Sequence, residues 1–302
     1  MIVPVRFAVI CMFVATSMSV ASAMADELLE QDVTDWREEH EARFKSPDGW
    51  LALVGMFRIE EGQNQFGTDP SNEIVLPAAS SVAAAGTIRI AAGQVSIEAV
   101  KDSQLSVNDE AVTEAVLQVD NLLPDADSPD KVTIGDRLSL QLVRRNGRLA
   151  IRVRDRLSPS IAAFRGKNWF PVDSAYRVEA TFTPYEPVKT IRITNIKGDV
   201  SDSKVPGFVE FTLHGTRCRL DAQIDSPEHL FFTFKDKTNG TTTCAPGRFL
   251  VTGIPKDNRV TLDFNKAYSP PCAFSEFTVC PLPPPQNHLD VAIEAGEKKY
   301  EP

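Results

Sequence analysis

The side chains best placed for chemistry stand beside turns in the C-terminal half of the sequence. Asp236 follows the strand-like run HLFFTF, Arg248 opens the run GRFLV, and Asp263 closes the run TLDF. If these strands are antiparallel neighbours, the three positions come to one rim of a sheet, where glutamates of the returning tail can join them. The candidate ligand-binding residues are Arg248, Asp236, Asp263, Asn265, Tyr268, Glu294 and Glu297.

Arg248 is the natural anchor of such a rim, because the forked guanidinium binds a carboxylate or phosphate through two parallel hydrogen bonds. Asp236 and Asp263 would orient it or act as acid and base. The structural alternative uses the same residues differently: Asp263 and Asn265 cap turns, and Arg248 ties the Pro-rich tail to the sheet. The residue types alone leave both alternatives open.

Three functions fit this pattern. The first is binding of a small anionic ligand or a cell-envelope partner at the rim around Arg248. The second is a hydrolase or lyase that uses Asp236, Asp263 and Tyr268 as acid and base. The third is a structural protein–protein interaction module.

The sequence indicates no cofactor and no metal site. It contains neither a GxSxG elbow nor an HExxH motif, and its histidines lack metal-ligand spacing. They are His40, His214, His229 and His288. The net charge of −9 opposes binding to nucleic acid or to anionic lipid, which require clustered Lys and Arg.

The secondary-structure elements that position these residues follow a predicted export signal. Residues 1–25 have a basic start, an apolar run and small residues before Asp26, which is typical of a cleaved signal peptide. We expect an exported protein, periplasmic or extracellular, with no membrane span after cleavage. Residues 26–45 lack Gly and Pro and have apolar residues at helical spacing, which predicts an amphipathic helix.

The rest of the chain is predicted to be mainly β. Short alternating runs separated by turn dipeptides indicate a β-sandwich over 46–157. A second antiparallel β unit with a Pro-rich and Cys-rich C-terminal tail is predicted over 158–302. The turn Trp169-Phe170-Pro171 lies at the junction of the two units, where a ligand groove is expected.

The cysteine count suggests disulfides. Removal of Cys11 with the signal peptide leaves four cysteines, and an even number in an oxidising compartment favours disulfide pairing. The closeness of Cys272 to Cys280 favours that pair, which leaves Cys218 with Cys244. A zinc site is the alternative, although the sequence has no CxxC knuckles.

Four long segments resemble one known family. They are GWLALVGMFRIEEGQNQFGTDPSNEIVLP, WFPVDSAYRVEATFTPYEPVKTI, GRFLVTGIP and LDFNKAYSPPCAFSEFTVCPLPPPQNHLDVAIEAGEK, in the order of the uncharacterised bacterial family DUF1684. The likeness runs from about Trp36 to Lys298. It implies a shared fold and no particular reaction.

A second resemblance lies within the first β unit. EGQNQFGTDPSNEIVLP, LSVNDEAV and IGDRLSLQL follow the strand and loop order of forkhead-associated (FHA) domains, which implies a β-sandwich. FHA domains bind phosphothreonine with an Arg after the first loop glycine and with an SxxH loop. Here Thr68 follows Gly67, and Ala78 to Ile90 contain no SxxH pattern, so the resemblance does not extend to phosphothreonine binding.

Overall fold

One long helix precedes the sheets. A computed structural model describes residues 8–118, 130–145 and 148–301. Helix α1 (Ala8–Lys45) confirms the helix predicted over 26–45 and begins further upstream. Its buried residues include Leu29, Val33 and Phe44, which lie on the face turned to the sheets. The helix ends before Pro47, because proline disfavours the helical conformation in the preceding residue.

The predicted signal peptide is only partly visible, since residues 1–7 lie outside the described ranges. Across the part of the chain that the structure describes, none of the helices combines the length and the apolar character that a bilayer crossing requires.

The first β unit is a two-sheet sandwich. One sheet has the order β1-β11-β10-β9-β6-β7 and the other β3-β2-β4-β5-β8. The strands are β1 (Leu53–Arg58), β2 (Gly62–Gly67), β3 (Ile74–Val75), β4 (Gly86–Ala91), β5 (Gln94–Ala99), β6 (Leu105–Val107), β7 (Glu110–Ala111), β8 (Glu114–Leu117), β9 (Val132–Ile134), β10 (Leu138–Arg145) and β11 (Arg148–Asp155).

The two sheets share one apolar core. Ile88 and Ile97 from one sheet pack in the same cluster as Leu140 and Ile151 from the other. Along β4, buried Ile88 and Ile90 flank exposed Arg89, as expected when one face of a strand meets the core. The short helix α2 (Pro159–Ala163) then leads to the second unit.

The second β unit is a single curled antiparallel sheet. Its strands are β12 (Arg177–Thr194), β13 (Val200–Leu213), β14 (Thr216–Ser226), β15 (His229–Phe234), β16 (Arg248–Gly253) and β17 (Arg259–Asp263). The order is β16-β15-β14-β13-β12-β17, and the two outermost strands approach each other, so the sheet bends around its core. Phe232 and Phe234 lie wholly inside this core.

The C-terminal tail is part of that core. Leu289, Val291, Ile293 and Ala295 are buried, while the alternate residue Glu294 is exposed. The Pro-rich composition of the tail predicts a segment that wraps the surface, and for this stretch the prediction is wrong. Its alternation of apolar and polar residues explains why this extended segment, which pairs only through isolated bridges, buries one face.

Candidate functional site

Arg248 is not at an open rim. Its side chain has no exposed surface, and Nη2 donates to Asp236 Oδ2 at 2.7 Å and to the carbonyl of Ile293 at 2.8 Å. Nη1 donates to the carbonyl of Ala295. Burial lowers the pKa of Arg248, and the charge of Asp236 opposes this. The predicted ligand anchor is instead an internal tie between β15, β16 and the tail, as the structural alternative proposed.

Asp236 is occupied by the same network. Its Oδ1 accepts the backbone N–H of Thr238 at 2.8 Å and that of Ile293 at 3.3 Å. Oδ1 therefore holds the turn after β15 and the tail, while Oδ2 binds Arg248, so both carboxylate oxygens already have partners within the chain.

Asp263 and Asn265 form a second network, apart from Arg248. Asp263 Oδ1 caps the short 3-10 turn Phe264–Lys266 by accepting the N–H of Asn265 at 3.1 Å. Asn265 also exchanges two hydrogen bonds with the backbone of Asp173, at 2.9 and 3.0 Å. The cations beside Asp263 are Arg177 and Arg37. The predicted convergence of Asp263 on Arg248 is therefore wrong, because these strand ends face different neighbours.

Of the two tail glutamates, Glu294 is exposed and Glu297 is buried. Glu297 lies opposite Trp169 in a β-bridge, which joins the tail to the segment between the two β units. This pairing places the Glu297 carboxyl beside Lys167, where sequence analysis proposed no functional group.

Lys167 and Glu297 form a buried pair. Lys167 Nζ lies 2.9 Å from Glu297 Oε2, and the side chains retain 0% and 1% exposure. Nζ also lies 3.3 Å from Nε2 of His40, on α1. If the ammonium donates there, Nε2 accepts and the ring proton is on Nδ1. Glu297 Oε2 accepts a further hydrogen bond from the Ser269 N–H at 3.0 Å.

Aromatic rings enclose this pair. Lys167 Nζ lies 4.2 Å from the ring centroid of Phe44, 4.7 Å from that of Phe274 and 6.0 Å from that of Trp169. The His40 ring lies 4.8 Å from that of Trp36 and 4.7 Å from that of Tyr268. We call the group formed by Lys167, Glu297, His40 and Ser269 the Lys167 site. Tyr268 thus borders this site and not the network of Arg248.

Burial shifts every ionisable group of the site toward its neutral form. It lowers the pKa of Lys167 and raises that of Glu297, and in each case the partner's charge opposes the shift. The pKa of His40 is lowered to about 3 by burial and by the charges of Lys167 and Arg43. Perturbed groups of this kind, arranged around a specific partner, are typical of functional sites.

Two oxygens of the site lack a hydrogen-bond partner among the described residues. They are Glu297 Oε1 and Ser269 Oγ, on residues that are each 1% exposed. The N–H and the hydroxyl of Ser269 both lower the pKa of Glu297 by hydrogen bonding, although the hydroxyl contact falls outside ordinary hydrogen-bond geometry. A buried polar atom without a partner costs roughly 1–3 kcal/mol, so each of these atoms gains stability from a hydrogen bond to water or to a ligand.

Helix α1 covers the Lys167 site. Near its middle, Asp32 binds Lys266 at 2.9 Å and Arg177 at 3.3 Å. One turn further, Arg37 donates to the carbonyl of Asn265 at 3.1 Å. A ligand can therefore reach Lys167 from this side only if α1 moves.

Three cysteines lie near the site, and the fourth lies elsewhere. All four thiols are free. The N–H of Cys272 donates to Cys280 Sγ at 3.3 Å, and burial together with the charges of Glu297 and Cys280 raises the pKa of Cys244 to about 11. Cys218 faces Phe211 on β13, inside the core. The structure therefore places Cys244 with Cys272 and Cys280, and the expected pairing of Cys218 with Cys244 does not fit it.

These features define a mainly β protein of two units whose junction holds a buried lysine–glutamate pair beneath a helix. A family model described as a protein of unknown function, DUF1684, matches residues 162–298. An uncharacterized protein from Haloarcula marismortui, solved in solution by NMR, is 35% identical over 45% of this chain and 78% of that one, with a TM-score of 0.38. The chain belongs to the DUF1684 family.

Two FHA domains are also similar to this chain. One was studied for phosphothreonine-dependent interactions, and the other is the FhaA domain in complex with an intracellular domain. Each is 20% identical over 32% of this chain, with a TM-score of 0.23, and the match covers 81% and 86% of those domains. The sandwich is established by its own strand order, and likenesses of this size add no argument. No curated protein matches the chain.

Sequence reasoning missed Lys167 and His40. His40 lies four residues from both Trp36 and Phe44, a spacing that puts three rings on one helical face and could have indicated a site there. Lys167 stands two residues before Trp169, in the junction where a groove was expected. Glu297 was among the candidate ligand-binding residues, but it was expected beside Arg248 and lies beside Lys167.

Proposed function

We propose that the chain is an exported protein that binds a small organic acid beneath α1, at the Lys167 site. The observation that carries the proposal is the wholly buried Lys167–Glu297 pair, beside which Glu297 Oε1 and Ser269 Oγ have no partner among the described residues. Arg248 Nε and Asp263 Oδ2 also lack a partner among the described residues, but the other polar atoms of Arg248, Asp236 and Asp263 are hydrogen-bonded within the chain, which favours the Lys167 site over theirs.

The cations of the site favour a carboxylate. An ammonium has three N–H donors, and the described residues engage two of those of Lys167, through Glu297 and His40. Arg37 stacks over Trp169 at 4.8 Å, and its Nε donor has no partner among the described residues. One ammonium donor and one guanidinium donor therefore remain for an anionic group.

The unpartnered oxygens favour a second polar group on the ligand. Glu297 Oε1 accepts a hydrogen bond when ionised, and the Ser269 hydroxyl both donates and accepts. A hydroxyl next to the carboxylate satisfies both atoms at once. The ligand class is thus a short hydroxy acid, with its carbon chain against the aromatic rings.

The binding test compares lactate with propionate, which lacks the hydroxyl, by thermal unfolding of the purified protein. We expect lactate to raise Tm more than propionate does, since ligand at about 100 times its Kd stabilises the folded state by about 2.7 kcal/mol. Lys167→Met should abolish the shift, and Lys298→Met, which removes a neighbouring lysine outside the pair, should retain it.

If Lys167→Met does not fold, Ser269→Ala gives the same discrimination, because it should remove the preference for lactate while leaving propionate unaffected. The absence of any shift with either acid in the wild-type protein would rule out the binding proposal. So would an equal shift in Lys167→Met and Lys298→Met.

Export is the second part of the proposal and is supported by the signal-like residues 1–25. We expect the protein recovered from the cell envelope or medium to begin at Asp26. In that oxidising compartment Cys272 and Cys280 should form a disulfide, since the backbone already brings them together. Intact mass before and after reduction and alkylation checks both points. A retained leader contradicts export, and alkylation of both thiols without reductant contradicts the disulfide.

A further inference from the structure

The amine of Lys167 has the surroundings of a reactive lysine. It is fully buried, and the centroids of three aromatic rings lie 4.2–6.0 Å from Nζ. Nζ forms an ion pair with Glu297, and the charge of Glu41 also acts on it. A lysine in an apolar enclosure loses its proton more readily than one in water, which increases the fraction of neutral, nucleophilic amine. The lowered pKa of Lys167 is consistent with this enclosure.

We infer that Lys167 forms an imine with a small carbonyl acid, such as a 2-oxo acid, bound at the Lys167 site. This inference rests on the proposed function, because it assigns a reaction to the same binding site. The carboxylate of the substrate would be held as proposed above, and its carbonyl carbon would face Nζ.

The proton balance of this step uses Glu297. Its carboxylate takes a proton from the Lys167 ammonium across the 2.9 Å contact, which leaves a neutral amine and a carboxylic acid. The amine attacks the carbonyl carbon, one C–N bond forms, and after a proton moves from nitrogen to oxygen the adduct is a carbinolamine. Glu297 then returns its proton to the hydroxyl, which leaves as water while the C=N bond forms. No electrons are gained or lost overall.

The two unpartnered oxygens, Glu297 Oε1 and Ser269 Oγ, can form hydrogen bonds with the hydroxyl group of the carbinolamine. Its hydroxyl can donate to one of these two oxygens and accept from the other, Ser269 Oγ or protonated Glu297 Oε1. His40 completes the arrangement, because its pKa of about 3 keeps the ring neutral and able to accept a hydrogen bond from Nζ. The site thus contains a nucleophile, a proton carrier and partners for the intermediate.

The test is reductive trapping on the full-length protein. Glyoxylate is added with sodium cyanoborohydride near neutral pH, hydride reduces the imine to a stable secondary amine, and peptide mass spectrometry locates the modified lysine. We expect Lys167 to be modified at least tenfold faster than the partly exposed Lys298. That factor corresponds to a pKa difference of about one unit. Lys167→Arg keeps the charge and should remove this adduct, while Lys298→Arg should not.

The outcomes separate this inference from the proposed function. Stabilisation by lactate without a Lys167 adduct overturns the imine and leaves ligand binding intact. An adduct on Lys167 without stabilisation by lactate supports the imine and removes the hydroxy acid proposal. Modification of Lys167 no faster than that of Lys298 also overturns the imine. The site is mapped in the wild-type protein, so the test does not depend on folding of the variants.

Discussion

At the residue scale, two buried ion pairs of similar composition differ in what surrounds them. The Arg248–Asp236 pair is hydrogen-bonded to backbone groups of the tail and of the turn after β15. The Lys167–Glu297 pair leaves Glu297 Oε1 without a partner in the described part of the chain. Arg248 Nε likewise has no partner there, so what distinguishes the first pair is that its other polar atoms already hold backbone groups of distant segments together, which stabilises the fold.

Replacement of Arg248 should therefore lower the stability of the folded protein. Arg248→Met leaves the Asp236 carboxylate buried without its cation, and we expect the free energy of unfolding to fall by about 3–5 kcal/mol. Chemical denaturation measures the change.

The matched control is Arg192→Met on β12, where the side chain is exposed and a change within about 0.5 kcal/mol is expected. Equal, small effects of both substitutions would contradict the structural role of Arg248.

At the element scale, α1 is attached to the second β unit by polar contacts at its surface and by apolar ones beneath. Asp32 is the best defined of the polar contacts, and its pKa is lowered mainly by the hydrogen bond from Lys266. Leu29, Val33 and Phe44 supply the apolar contacts. Because the helix lies over the Lys167 site, its attachment governs access to that site.

Asp32→Asn should loosen this helix without unfolding the protein. The exposed ion pairs contribute little, so we expect the free energy of unfolding to fall by less than about 1 kcal/mol. Amide hydrogen exchange in residues 29–44 should nevertheless become faster, since the helix opens more often.

Asp35→Asn is the control for this helix. Asp35 accepts a hydrogen bond from Gln31 within α1, so its loss should not affect docking on the sheet. The same acceleration of exchange in both variants would contradict the proposed role of Asp32.

At the scale of the whole molecule, the two β units have separate cores. One cluster consists of residues between Ile59 and Val153 together with partners at Val54 and Phe57, and another consists of residues between Tyr176 and Ala295. A third, small cluster around Phe44, Leu51 and Phe164 lies between them. The Lys167 site belongs to the junction and depends on α1, the linker and the tail together.

We therefore expect residues 46–157 to fold alone, as one cooperative sandwich. Circular dichroism and denaturant titration of this segment should show β structure and a single unfolding transition, because its core is complete. Residues 158–302 without α1 should be less stable, since they lose the cover over Lys167. A segment 46–157 without a cooperative transition would show that the units stabilise each other.

Most of the fold could be predicted from local patterns. The periodicity changes from helical to alternating near Trp50, and turn dipeptides separate the β runs, which is enough to predict a helix followed by two β units. The same alternation predicts that Phe232 and Phe234 share one face of their strand and pack in the core, and both are wholly buried. The candidate site was harder, because strand ends that look equivalent in sequence face different neighbours once a sheet curls.

By itself, the sequence determined the class of structure, the family resemblance and the presence of Arg248, Asp236 and Glu297 as unusual polar residues. Only the tertiary structure decided their partners. Arg248 became an internal tie because the tail packs into the core, and Glu297 met Lys167 because a β-bridge joins segments that lie far apart in the chain. Local patterns fix which way a side chain faces along its own strand or helix, but the partner across the molecule depends on how distant segments pack.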